Sequence, residues 1–257
     1  MALDLSTLPC LKDNYAFLIH NPETGDAALV DVPEAAPILD ALAARGWTLT
    51  DVLLTHHHGD HIDGLADLLA GLTHKPRIWG AAADAHRLPP LDHPLRDTDK
   101  PEICGEPVQI LDMPGHTVGH IAYYFPRSKY LFSGDSLMVM GCGRLFEGTP
   151  AQMWGALQKT NALPGDTLLL SGHEYTASNI RFALSLEPAN AQLIYEKDRV
   201  ADLRAAGTPT IPVTLAHERQ TNPFLRAHNP DFKALLDMSN APDVDVFTEI
   251  RARKDKF

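Results

Sequence analysis

The chain contains few cysteines, fewer basic than acidic residues, and no long apolar run. Its three cysteines, Cys10, Cys104 and Cys142, are an odd number and lie far apart in 257 residues. This spacing excludes a CxxC pair and a disulfide framework, so we expect ordinary thiols in a reducing cytoplasm. The 22 Lys and Arg residues stand against 33 Asp and Glu, a formal net charge of -11 that lacks the basic footprint of a nucleic-acid binder.

Membrane and targeting segments are not expected either. No apolar run reaches the roughly 18 residues that a transmembrane helix needs. The start, MALDLSTLPCLKDNY, lacks the basic and apolar regions of a signal peptide. The length fits one large domain or two smaller ones, and 44% hydrophobic residues are typical of a globular protein with a sizeable core.

Apolar segments bounded by turn residues predict strands that alternate with helices, an α/β pattern. The predicted strands are 14–20, 27–32, 50–55, 77–79, 107–113, 119–125, 129–133 and 167–171. Helices are predicted at 34–45, near 63–70 and 150–162, and later at 176–187, 189–206, 230–237 and 244–255, with a loop over AHERQTNPFLRAHNP. This change of pattern predicts a mixed domain at 1–173 and a helical domain at 174–257.

A run of ionisable side chains follows predicted strand 50–55. The stretch LTHHHGDH places metal-ligand residue types at His56, His58, Asp60 and His61. This spacing differs from the HExxH pattern, which places two histidines on one face of a helix. It suits a loop that continues a strand, because alternate side chains of a strand point to the same side. Taken alone, the stretch also fits a solvated polar turn.

Three later strands lead to single residues of the same types, each directly after a glycine. These residues are His116, Asp135 and His173. Glycine allows the backbone to turn sharply, and strands that end at one sheet edge bring such side chains together. The chain therefore offers seven candidate ligands, too many for one ion with about four.

A shared Asp135 carboxylate would give each of two ions four protein contacts. The first ion would contact His56, His58, His116 and Asp135, and the second Asp60, His61, His173 and Asp135. Imidazole and carboxylate without thiolate suit zinc, iron or manganese, and zinc is our first choice. A pair of divalent ions is typical of a hydrolytic site.

Four further residues near the motifs have less defined roles. Side chains alternate in direction along this stretch, so His57 points away from the side shared by its neighbours His56 and His58. We therefore predict that His57 lies at the surface or contacts a ligand rather than the metal. His120, in the stretch GHTVGH, fits an outer-shell or a structural role. Asp31 and Asp63 are candidates for orienting ligands, with a helix cap as the alternative for Asp63.

The combined pattern resembles the metallo-β-lactamase superfamily and, within it, the glyoxalase II (hydroxyacylglutathione hydrolase) family. The histidine and aspartate motif carries the likeness to the superfamily. The likeness to the family runs nearly end to end and rests on DNY at 13–15, GCGRLFEGT at 141–149, GHEYT at 172–176, TNPFLR at 221–226 and RARKDKF at 251–257.

The resemblance implies an αββα four-layer sandwich followed by a small all-helical C-terminal domain that helps to bind glutathione. It implies hydrolysis of S-D-lactoylglutathione to glutathione and D-lactate by a hydroxide shared by the two ions, the second step of methylglyoxal detoxification. Asp60 and Asp135 would be the catalytic carboxylates. The implied glutathione contacts are Arg144, Phe146, His173, Tyr175, Arg251 and Lys254.

One departure from the family concerns the loop at 144–146. The family often has lysine and then tyrosine where this chain has Arg144 and Phe146. Arginine keeps the positive charge and pairs with carboxylates through two hydrogen bonds. Phenylalanine lacks the hydroxyl, so a hydrogen bond to glutathione from this position is lost.

Other functions use some of the same residues. A glutathione persulfide dioxygenase of the same superfamily would need one iron and neither all seven ligands nor the long helical region. A nuclease would need a basic surface, and a β-lactamase a secretion signal. Outside enzymes, a protein that only binds metal or thiols is the remaining alternative. We expect a monomer with a small-molecule thioester as its substrate.

Overall fold

The computed structural model describes residues 2–257, and the chain divides into two units. The first unit runs to Asp112 and also includes Gly119–Gly134. The second joins Met113–Val118 to Asp135–Phe257. The division predicted at residue 173 remains a prediction.

The first unit is built on a six-stranded sheet with the order β1-β2-β3-β4-β5-β6. The strands are β1 Asp4–Cys10, β2 Asn14–His20, β3 Asp26–Val30, β4 Thr48–Leu53, β5 Arg77–Ala81 and β6 His93–Leu95. β1, β2 and β3 pair antiparallel, and β3 to β6 pair parallel. β4 is continuously apolar at its end because parallel strands are covered on both faces; Val52 and Leu53 are fully buried.

Short helices connect the parallel strands. They are α1 Ala36–Arg45, α2 Gly59–Ile62 and α3 Leu65–Gly71. Gly46 ends α1 in the left-handed conformation, with φ of 64°. The helix predicted near 63–70 is confirmed as α3, while the short helix α2 before it was not predicted. Gly64 lies between the two helices. A Cβ at Gly64 would lie 2.7 Å from Glu34 Cα, so a close backbone approach interrupts the helix there.

The rest of the first unit is antiparallel. β7 Glu102–Ile103 pairs with β8 Glu106–Pro107, and β10 Ile121–Phe125 lies between β9 Gln109–Asp112 and β11 Tyr130–Gly134. The strand predicted at 107–113 is confirmed over β9, but its first residue, Pro107, belongs to β8. Val108 N–H bonds to the carbonyl of Pro101 at 2.8 Å, which separates β8 from β9.

The second unit is mainly helical. β12 Leu137–Met138 pairs with β13 Gly141–Cys142, and β14 Leu168–Ser171 with β15 Val213–Thr214. The helices are α4 Pro150–Asn161, α5 Thr176–Leu186, α6 Ala191–Ala205, α7 Leu215–Thr221, α8 Pro230–Leu235 and α9 Asp243–Lys256. α4 begins at a capping box in which the Thr149 side chain accepts from Gln152 N–H and the Gln152 side chain accepts from Thr149 N–H. No helix within residues 2–257 has the length and apolarity to cross a membrane.

The loop predicted over AHERQTNPFLRAHNP is wrong. Its first half forms α7, which the Thr214 side chain caps, and a 3-10 turn follows at Pro223–Leu225. The helix escaped prediction because its buried positions include Glu218 and Thr221, both with no exposed surface. Because these buried positions are polar, the sequence lacks the regular spacing of apolar residues that indicates a helix.

Candidate metal centre

In the first unit, the loop after β4 brings two candidate ligands together. His56 Nε2 lies 3.2 Å from His58 Nδ1. Two ligands at 2.0–2.1 Å from a tetrahedral zinc ion are about 3.3 Å apart, so this spacing fits a shared ion. His56 is fully buried and His58 is half-buried.

Hydrogen bonds fix which nitrogen of His56 can bind a metal. The Thr55 hydroxyl donates to Asp31 Oδ2 at 2.8 Å, so its oxygen accepts from His56 Nδ1 at 3.0 Å. Nε2 of His56 therefore keeps its lone pair and faces Nδ1 of His58. Two nitrogen atoms at this distance need a cation or a proton between them, which fits a metal site.

Asp60 and His61 lie in the short helix α2. Their Oδ2 and Nε2 atoms are 3.8 Å apart. Asn14, at the start of β2, donates its side-chain N–H to Asp60 Oδ2 at 3.0 Å and to the Asp60 carbonyl at 2.9 Å. Asn14 belongs to the DNY stretch, for which the sequence indicated no role. Its two bonds to Asp60 indicate that Asn14 orients this carboxylate.

Asp31, a suggested orienter, contacts two residues of the motif. Its Oδ2 lies 2.8 Å from His61 Nδ1, and its Oδ1 accepts from Thr55 N–H at 2.8 Å. A carboxylate can only accept, so Nδ1 of His61 donates and Nε2 keeps the lone pair for a metal. Such outer carboxylates fix the tautomer and direction of a metal-binding histidine. The predicted orienting role of Asp31 agrees with this geometry.

We expect Asp31→Asn to weaken metal binding about 10- to 100-fold while the fold persists. Asp31 has a φ of 57°, a conformation that asparagine tolerates, but an amide cannot accept from Thr55 and His61 as a carboxylate does. The measurement is zinc affinity by competition with a chromophoric chelator. Asp4→Asn is the control, since Asp4 pairs with His20 at 3.3 Å outside the ligand set. Equal zinc affinity in both variants would contradict the orienting role.

His57 bonds to a residue outside the ligand set, whereas His120 packs against one of the candidate ligands. His57 Nδ1 lies 3.0 Å from Oδ2 of the buried Asp84, in agreement with an outer-shell position. The His120 ring is buried and stacks on the His56 ring with centroids 4.7 Å apart. Asp84 carried no signal in the sequence, because its bond to His57 joins residues 27 positions apart.

In the second unit, Asp135 lies between two histidines. Its Oδ2 atom is 3.4 Å from His116 Nε2 and 3.3 Å from His173 Nε2. These distances also match ligands of a common ion. His116, Asp135 and His173 are all buried, at 4 to 5% exposure.

The backbone after β13 orients His116. His116 Nδ1 donates to the carbonyl of Arg144 at 2.8 Å, so Nε2 is the nitrogen left for a metal. Gly143 permits this approach, since a Cβ there would lie 2.0 Å from the Asp135 carbonyl oxygen and 3.0 Å from His116 Nδ1. The GCGR stretch therefore has two roles: its backbone orients His116 and packs against Asp135, and it contains Arg144.

The predicted glutathione contacts all lie in the second unit, in different environments. Arg144 and Phe146 are more than half exposed, and the Phe146 ring meets the His116 ring edge-on at 5.2 Å. Tyr175 stacks on His173 with ring centroids 4.7 Å apart. Arg251 is 5% exposed and donates to the Cys142 carbonyl at 3.1 Å.

Lys254 is half-buried near Arg251. Its ammonium lies 5.1 Å from the centre of the Phe182 ring. Burial, together with the charges of Arg251 and Arg181, lowers the pKa of Lys254 to about 8. The other two basic residues, Arg251 and Arg144, both lie near the Asp255 carboxylate. Its Oδ1 atom is 2.8 Å from Arg251 Nη2 and 3.8 Å from Arg144 Nε.

The candidate ligands have the chemistry of a dinuclear metal site. The residues that could hold a metal are His56, His58, Asp60, His61, His116, Asp135 and His173. They supply imidazole nitrogen and carboxylate oxygen, which suit zinc, iron and manganese. The three cysteines are free thiols, as predicted, and all three are buried; burial raises the pKa of the Cys142 thiol to about 11.

Family models match the chain from residue 14 to its last residue. Residues 14–173 match the metallo-beta-lactamase superfamily, and residues 174–257 match the hydroxyacylglutathione hydrolase C-terminus. A hydroxyacylglutathione hydrolase from Jannaschia sp. (strain CCS1) is 60% identical over 251 residues, which cover 98% of this chain and 97% of the relative.

Solved structures share the fold. The BLEG-1 B3 metallo-beta-lactamase superposes with a TM-score of 0.67 at 21% identity, over 86% of this chain and 99% of that one. TTHA1623 in a di-iron-bound form gives a TM-score of 0.60 at 26% identity, over 86% of this chain and 100% of that one. The predicted fold class, a metallo-β-lactamase fold with a helical C-terminal region, is confirmed. The chain belongs to the hydroxyacylglutathione hydrolase family of the metallo-beta-lactamase superfamily.

Proposed function

We propose that this chain hydrolyses S-D-lactoylglutathione to glutathione and D-lactate. The likeness over nearly the full length to a hydroxyacylglutathione hydrolase, at 60% identity, carries the proposal. In the reaction, the acyl carbon loses its bond to sulfur and gains one to the oxygen of water. The leaving thiolate has a conjugate acid with a pKa of about 8.5, so it departs without a dedicated proton donor.

We assign the metal ligands as the sequence suggested. His56, His58, His116 and Asp135 would hold one ion, and Asp60, His61, His173 and Asp135 the other, with Asp135 shared. Support comes from the ligand spacings within each unit, 3.2 Å for His56 and His58 and 3.3–3.4 Å around Asp135. Zinc is the ion we propose. When bound, two such ions supply a water of lowered pKa and positive charge toward the developing oxyanion.

The protein groups have separate tasks in this proposal. Asp31, Asn14 and the Arg144 carbonyl hold the ligands in the orientation that binds metal. Arg144, Arg251 and Lys254 supply positive charge for the two carboxylates of glutathione. Phe146, His173 and Tyr175 would line the remaining contacts, and residues 174–257 would act as the helical glutathione-binding domain.

The proposal also covers the setting of the enzyme. We propose that the chain acts as a cytoplasmic monomer. The free, buried cysteines support a reducing compartment. Size-exclusion chromatography with light scattering tests the monomer.

Thiol release from S-D-lactoylglutathione tests the activity. Purified protein is assayed as prepared, after chelator treatment, and after zinc is restored. We expect release that chelation abolishes and zinc restores. No release from protein that holds two metal ions would refute the proposal, and oxygen consumption with glutathione persulfide would then identify the dioxygenase alternative.

Substrate affinity should fall as the pH rises through about 8. Lys254 is cationic below its pKa of about 8 and neutral above it, so its contact with a carboxylate is lost on the alkaline side. We expect KM to rise about tenfold between neutral and alkaline pH, since a hydrogen bond to a charged group contributes about 1.5 kcal/mol. The measurement is KM against pH at saturating metal.

Lys254→Arg is the matched variant for this pH profile. A guanidinium stays charged throughout the range, so its KM should lack the part of the rise that Lys254 causes. The α-amino group of the substrate titrates at similar pH, and it contributes equally to both profiles. Identical profiles for the parent and Lys254→Arg would exclude Lys254 from the contact.

A further inference from the structure

The hairpin of β12 and β13 links a candidate metal ligand to a candidate substrate contact. It begins just after Asp135 and ends just before Gly143 and Arg144. Its turn is buried, and Met140 there has a left-handed φ of 52°. A buried turn needs partners for its backbone N–H and C=O groups, because unsatisfied groups are costly away from water.

Asn222, from the TNPFLR motif, supplies two of those partners. Its side-chain N–H group donates to the Met138 carbonyl at 3.1 Å and to the Gly141 carbonyl at 3.0 Å. The same nitrogen donates to Glu218 Oε2 at 2.9 Å. Asn222 thus contacts both ends of the turn, and it has no exposed surface.

Glu218 and Asn179 complete the set. Glu218, one helical turn before Asn222, accepts from Met140 N–H at 2.8 Å and is fully buried. Asn179, in α5, donates to the Val139 carbonyl at 3.0 Å. All four residues of the turn, 138–141, therefore bond to side chains of the C-terminal region: Glu218 in α7, Asn179 in α5, and Asn222, which directly follows α7.

The chain beyond this turn acts directly on the candidate site. Gly143 N–H donates to the Ser136 carbonyl at 3.3 Å, and its Cα packs against the carbonyl of Asp135. The Arg144 carbonyl accepts from His116 Nδ1 at 2.8 Å. A shift of the turn would move this acceptor and the Arg144 side chain together.

We propose that Asn222, Glu218 and Asn179 are positioning residues that act through the turn at 138–141. They fix the Arg144 carbonyl that orients His116 and, at the same time, the Arg144 guanidinium that would meet glutathione. The second half of this role rests on the proposed function; the first half concerns metal binding alone. The TNPFLR motif then has a task in the site, although none of its residues is a candidate ligand or glutathione contact.

Three variants test the proposal: Asn222→Ala, Asn179→Ala and Glu218→Gln. Zn²⁺ affinity is measured by chelator competition, and kcat and KM with S-D-lactoylglutathione. We expect zinc affinity to fall about tenfold or more, as for other outer-shell changes, and KM to rise. Asn179→Ala and Glu218→Gln remain decisive if Asn222→Ala does not fold.

Asn229→Ala is the control for loss of stability. Asn229 caps α8, its Oδ1 accepting from Phe232 N–H at 3.0 Å, as Asn222 Oδ1 accepts from Phe224 N–H at 3.0 Å. This control should lower Tm but leave zinc affinity and KM within about twofold, since a cap stabilises its helix only.

The outcomes separate the two proposals. Folded Asn179→Ala and Glu218→Gln with parental zinc affinity and KM would overturn the positioning role. A fall in zinc affinity in a protein that releases no thiol would support positioning of His116 and refute the proposed function. A fall in Tm alone, equal to that of Asn229→Ala, would assign the three residues to folding only and overturn the proposal.

Discussion

Replacing Gly143 with alanine is expected to remove metal binding and activity together. The added Cβ would lie 2.0 Å from the Asp135 carbonyl oxygen and 3.0 Å from His116 Nδ1. A backbone oxygen cannot rotate away as a side chain can, so the segment must move and the bond from His116 to the Arg144 carbonyl is lost. We expect zinc affinity to fall at least about tenfold and kcat/KM at least about a hundredfold.

The control for this change is Gly155→Ala. Gly155 lies inside α4, and a Cβ there meets no atom within 4 Å. Alanine is about 0.5–1 kcal/mol more favourable than glycine within a helix, so this variant should be slightly more stable, with unchanged metal and rates. A folded Gly143→Ala that binds zinc like the parent would show that the close approach has no role in the site.

Asp135→Ala is the second change with a large expected effect. It removes the carboxylate that lies 3.4 Å from His116 Nε2 and 3.3 Å from His173 Nε2. If Asp135 is shared, its loss removes one ligand from each ion. It also removes one of the two carboxylates, Asp60 and Asp135, whose negative charge balances the two ions. We expect less than one bound ion per chain by elemental analysis, and a fall in kcat of about a thousandfold or more.

Asp202→Ala is the matched control for Asp135→Ala. Asp202 is exposed on α6 in the same unit, and its replacement also removes one negative charge. It should keep both ions and the parental rate. Two bound ions in Asp135→Ala would exclude the shared role and leave Asp135 at most a ligand of one ion.

The sequence predicted those parts of the fold that have a local cause. The helix predicted at 150–162 and the helix predicted at 34–45 are examples, since the residues that form each of them lie within one segment. β1 was not predicted, since Pro9 argues against a central strand; the structure accommodates it because β1 is the edge of its sheet. α7 was missed because two of its buried residues are polar: Glu218 bonds to the hairpin at Met140 N–H, and the Thr221 hydroxyl bonds to the His217 carbonyl of its own helix.

In the candidate site, the sequence indicated the ligand types and one orienting residue, Asp31, but not the other partners of the ligands. Histidine and aspartate after strand ends can be read directly from the chain. The partner of His116 is a backbone carbonyl, that of Arg144, which no residue type reveals. The partners of His57 and Asp60, Asp84 and Asn14, are 27 and 46 residues away, a pairing that only the folded chain establishes.

The most direct test of the account is a titration of zinc into chelator-stripped protein, with the rate of thiol release from S-D-lactoylglutathione measured at each step. We expect the rate to rise with zinc and to reach its maximum at two bound ions per chain. A maximum at one ion, or no thiol release with two ions bound, would contradict hydrolysis by a dinuclear site.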